Sequence, residues 1–117
     1  MLGLALSAWA ATAAAECLPY EPTEVTLAGV VKYRERAAIL ELESPVCVRS
    51  RQPDDPGVNA PRDNVQVVQL MLLPSISRPS PDRRIVVTGT LSVAQAAHHR
   101  TWVLLYVRAI EATYESR

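Results

Sequence analysis

The chain of 117 residues has no phenylalanine, one lysine, two histidines, two cysteines and four glycines. With aromatics at 5%, the stacking platforms of single-strand nucleic-acid binders are scarce. Twelve Lys+Arg stand against twelve Asp+Glu, a formal net charge of zero, so the basic excess that neutralises phosphates is missing. Eleven of the cations are arginines, interleaved with acids and never in a run, a pattern that reads as a solvated, mixed surface. There is no glycine-rich phosphate loop, no G-x-S-x-G elbow and no EF-hand spacing around Asp54, Asp55 and Asp63. Ser75, Ser77 and Ser80 lie in a proline-rich stretch with no nucleophile setting. The reading is therefore a non-enzyme without a cofactor. The length allows one domain, and 49% hydrophobic residues suffice for a packed core.

Residues 1–15 carry no charged side chain and seven alanines, with Leu2, Leu4, Leu6 and Trp9. This apolar run is shorter than the roughly 20 residues of a membrane span. It ends in Ala13-Ala14-Ala15, the small-x-small pattern of signal-peptidase substrates, so cleavage is expected before Glu16. Glu16 before Cys17 does not suit a lipobox. The expectation is a signal peptide over 1–15, a single β-barrel domain over 16–117, periplasmic or secreted, with no membrane anchor after cleavage.

Two cysteines, Cys17 and Cys47, allow one intramolecular bridge, which an oxidising compartment favours. Cys17 would otherwise sit on a fraying terminus, so the bridge pins the N-terminus to the sheet.

Residues 23–34 alternate, with Val25, Leu27, Gly29, Val31 and Tyr33 on one face, the period of a strand. Residues 37–43 repeat it through Ala38, Leu40 and Leu42; Pro45 then marks an edge or bulge before an extended Val46-Cys47-Val48. Residues 65–73, 84–93 and 102–110 complete five strands. Ser92 and Gln95 could box one helical turn through Ala94, Ala96 and Ala97. The prolines and glycine of 51–63 and the prolines of 74–82 read as long exposed loops. Gly29 and Gly89 fall inside strands, where a sharply bent barrel strand needs a residue without Cβ. The fold expected is all-β: a small five-stranded OB-like barrel with little helix, or alternatively a small β-sandwich.

Val86-Val87-Thr88-Gly89-Thr90-Leu91, followed by Ala97-His98-His99-Arg100-Thr101-Trp102-Val103-Leu104-Leu105, resembles a short bacterial exported domain family of unknown function. That family is marked by a V-x-G-x-L strand, a His-His pair and an apolar final strand. Leu27-Ala28-Gly29-Val30-Val31 and Leu40-Glu41-Leu42-Glu43-Ser44-Pro45-Val46 are also similar to it, so the resemblance spans roughly residues 23–110. Trp102 stands where the family pattern has a small residue or proline. The resemblance implies an exported β-domain and directs attention to His98 and His99.

His98, His99 and Trp102 are the candidate binding residues. Neighbouring histidines on an extended segment point to opposite sides, so both do not easily face one metal. Further ligands would have to come from acids such as Asp82, Glu111 or the Asp54/Asp55 pair, and no metal site is assigned. The expected role is a non-catalytic binding module for an envelope protein or glycan, inhibitor- or immunity-like, using a barrel face or the loops. A metal or small-ligand carrier built on His98 and His99 is the alternative. Nucleic acid is not an expected partner.

Overall fold

The computed structural model describes residues 17–50, 61–94 and 99–112. Residues 1–16, most of the proline-rich stretch 51–63, Gln95, Ala96, Ala97 and His98, and residues 113–117 lie outside them. The expected helical turn therefore lies mostly outside the described residues; Ser92 itself is in a strand.

Six strands form one sheet: β1 (Leu18–Pro19), β2 (Glu24–Arg34), β3 (Ala37–Arg49), β4 (Arg62–Met71), β5 (Arg84–Val93) and β6 (Val103–Ala112). Their order is β1-β3-β2-β5-β6-β4, and β4 also pairs with β3. Five strands thus close into a ring, the all-β architecture the alternation predicts. The two opposed halves of this ring equally suit a small β-sandwich description. All ring pairings are antiparallel except β4–β6. The sixth strand, β1, is two residues long and runs parallel to the end of β3 through Leu18↔Val48 and Pro19↔Arg49.

Inward-facing apolar residues fill the ring. Val31, Leu40, Val68, Val87, Leu91 and Leu105 have no exposed surface. Each such side chain contributes about 1.5–3 kcal/mol by leaving water. The two glycines serve a close approach between strands. A Cβ at Gly29 would run into the Glu41 carbonyl on β3, and one at Gly89 into the Tyr106 carbonyl on β6. The β5–β6 register slips beside the second of them, between Thr88 and Gly89.

Two irregularities shape β3 and β4. Between Glu41↔Val67 and Val46↔Val65, β3 carries three more residues than its partner. The surplus includes Pro45, the residue expected to mark an edge or bulge, and β3 runs on through it to Arg49. Between Val46↔Val65 and Val48↔Arg62 the surplus residue is on β4, where Asn64 takes a φ of 53°. Asparagine tolerates that left-handed backbone better than most residues. As a result β4 starts at Arg62, and residues 62 and 63 belong to a strand where composition suggested a loop.

The second proline-rich loop is tied down. Tyr33 donates its hydroxyl to the Pro79 carbonyl at 2.6 Å, and the Arg78 guanidinium lies 5.1 Å from the Tyr33 ring centroid. Asp82 donates its N–H to the Val31 carbonyl at 2.7 Å, and its carboxylate accepts from Lys32 Nζ at 2.6 Å.

Candidate functional site

The expected bridge is present: Cys17 and Cys47 are disulfide-bonded across 30 residues of chain, and no cysteine is free. It fixes β1 beside β3, and the segment after β1 is stitched onward. Glu21 donates its N–H to the Leu91 carbonyl at 2.8 Å, and Ser92 donates its hydroxyl to Glu21 Oε2 at 3.2 Å. Between them Tyr20 is buried to 2% exposure. Burial pushes its phenol above the ordinary value of 10.0, and the neighbouring Arg62 guanidinium pulls it partly back.

Arg62 links this buried phenol to the surface. Its guanidinium carbon lies 4.5 Å from the centroid of the Trp102 ring, a cation–π contact. Trp102 is 71% exposed, the most exposed large apolar side chain among the described residues. Around the pair opens a cleft of about 450 Å³ walled by Arg34, the first residues of β4, and Arg100 to Val103.

The loop that carries Trp102 is held by a small buried network. The Thr101 hydroxyl accepts the Gln69 N–H at 2.9 Å and donates to the Val103 carbonyl at 2.6 Å. Gln69 Oε1 accepts the Arg100 N–H at 2.6 Å, and Ala94 donates its N–H to the Trp102 carbonyl at 2.9 Å. Thr101 and Gln69 are both buried. With four bonds fixing its flanking backbone, the indole is presented to solvent by a rigid support, and the ordering entropy of that loop is spent before any ligand arrives.

The charge around the cleft is local and positive. Arg100 is ion-paired with Glu35, and Asp63 sits 3.9 Å from Arg49. Among the described residues, Arg34 and Arg62 have no acidic partner, and Arg62 Nε is buried without a hydrogen-bond acceptor. A chain of zero net charge thereby gathers three guanidiniums about one tryptophan. Such an arrangement suits an anionic group with a flat or apolar neighbour.

Of the candidate residues, Trp102 enters the wall of this cleft. His99 is half-buried, engaged with a partner group, and does not line it. His98 lies outside the described residues. Among the described residues no group of three or more His, Cys, Asp or Glu is placed to hold a metal ion. No helix there is long and apolar enough to cross a membrane. Arg34 and Arg62 were not identifiable as site residues from the sequence, since 28 positions separate them and their strands, β2 and β4, are linked only through other strands of the ring. Arg100 had one signal, its place two residues before Trp102. No protein-family model, curated protein or solved structure matches the chain.

Proposed function

We propose that this is an exported, non-catalytic binding module that holds an envelope protein or glycan in the cleft beside Trp102. The observation that carries the reading is the indole itself, left exposed on a loop whose backbone is bonded on both sides. Exposed aromatics on rigid supports, flanked by arginine, are the residues that dominate binding energy at interfaces. Support for export comes from the apolar leader and from a disulfide of the kind that persists in oxidising compartments.

The test is capture from envelope extract on immobilised, oxidised protein, beside a Trp102→Ala form. The expected result is one dominant component retained by the first and lost from the second. A blank, or a component that the variant retains equally, overturns the assignment.

A further inference from the structure

We infer that the cleft is an edge-docking site for an extended acidic segment of a partner protein, a reading that rests on the binding role proposed above. β4 pairs with β3 from Arg62 to Gln69, but with β6 only through Gln69↔Leu104, Leu70↔Leu105 and Met71↔Tyr106. Along residues 62–68, therefore, one edge of β4 has no strand against it among the described residues. That edge lines the cleft.

Backbone directions follow from one hydrogen bond. Gln69 donates its N–H away from β3, to Thr101. The register is regular from Val67 to Gln69, and in-plane backbone groups repeat their direction every second residue. The N–H and C=O of Val67 accordingly point into the cleft. An open edge is a template for another extended chain, and proteins ordinarily blunt it with charge or a bulge. Here the bulge at Asn64 limits the open stretch, while Arg62 is folded over the indole and Arg34 stands at the rim.

Charge complementarity selects the occupant. Main-chain bonds to the Val67 region supply sequence-independent affinity, and two guanidiniums without acidic partners select carboxylates. Trp102 takes an apolar side chain of the same segment. A glycan could use the indole and the arginines but has no use for an unpaired strand edge.

The Trp9→Phe chain leaves Trp102 as its single tryptophan, so its fluorescence reports on the cleft alone. The probe is a random peptide library displayed on phage and selected on this chain, the best binder then being synthesised. The expected result is enrichment of Asp and Glu, a change in Trp102 emission, and protection of the Val67 amide from exchange. Binding should weaken by about tenfold or more in Arg62→Ala, and methylating alternate peptide nitrogens should abolish it with the protein untouched. No enrichment overturns the inference. So do binders that tolerate N-methylation and leave the Val67 amide exchanging freely. A parallel titration with oligogalacturonate separates the two readings. If the sugar shifts Trp102 emission and no peptide does, the peptide inference fails and the binding cleft stands. If neither does, the binding role falls with it.

Discussion

Replacing Thr101 by valine keeps the shape of the side chain and removes only its hydroxyl. That hydroxyl accepts the Gln69 N–H at 2.9 Å and donates to the Val103 carbonyl at 2.6 Å, at a residue 8% exposed. Water cannot readily replace it. The Gln69 N–H loses the hydroxyl as its acceptor, and a buried polar group left unpaired costs about 1–3 kcal/mol. A carbonyl tolerates the loss better than an N–H, and the new methyl returns roughly 0.8 kcal/mol of apolar burial. The net expected loss is about 2–4 kcal/mol, a fall in Tm of roughly 10–25 °C for a domain of this size. Thr101→Ser keeps both hydrogen bonds and should lose no more than about 1 kcal/mol. Urea unfolding of the oxidised protein measures both. A second readout comes from Trp102, whose emission should change in the folded valine variant as the loop loosens over Arg62. The reasoning is refuted if Thr101→Val lies within about 0.5 kcal/mol of the parent, or if serine is as damaging as valine.

Replacing Cys17 and Cys47 by serine should cost about 3.7 kcal/mol on the chain-entropy argument for a loop of 30 residues, read from urea unfolding beside the parent. Equal stability of the two forms would show that β1 is held by its other contacts. Gly89→Ala forces a Cβ against the Tyr106 carbonyl and should destabilise by about 1–3 kcal/mol, whereas Ala28→Gly, on the same sheet without that contact, should cost about 1 kcal/mol or less. A neutral Gly89→Ala would contradict the close approach described. The Tyr20 phenol titrates above its unfolded value, so the stability it confers is complete below pH 10.0 and declines as pH climbs through the native-state value. Lys32, raised by its hydrogen bond to Asp82, adds in the same direction at the surface. Urea midpoints should therefore fall on the alkaline side, and Tyr20→Phe should flatten that fall; a midpoint that rises instead would reverse the sign.

Where one face of a strand meets the core, alternation made it legible. Val25, Leu27 and Val31 on β2, and Ile85, Val87 and Leu91 on β5, are all buried in the phase that the sequence predicts. The pairing of Cys17 with Cys47 was the single possibility open to two cysteines. Less legible was whatever depends on surplus residues. Pro45 sits within β3 because the strand arches away from β4 there, which keeps its missing N–H out of the ladder. No local signal marks Leu18–Pro19 as a strand, because it is held by the bridge and by β3. The site was least legible. Trp102 is conspicuous as the one tryptophan besides Trp9, but its arginine neighbours come from three separate segments and meet only when the ring closes. Charge counting along the chain averages them away.

The position of β6 in the ring has a consequence for how the molecule comes into being. It is the last of the six described strands in chain order, and it sits between β5 and β4. A nascent chain that has emerged through β5 can form the β2–β3 hairpin and lay β5 along β2, but both flanks of the gap remain bare. Nothing closes until the final ten strand residues arrive, and three of their rungs must reach back to β4 across more than thirty positions. Polypeptides stopped short of residue 103 therefore display two unsatisfied sheet borders at once, a state prone to joining its own kind. Thus the ring closes only once β6 is in place, and a deletion within β6 bares the borders of β5 and β4 together.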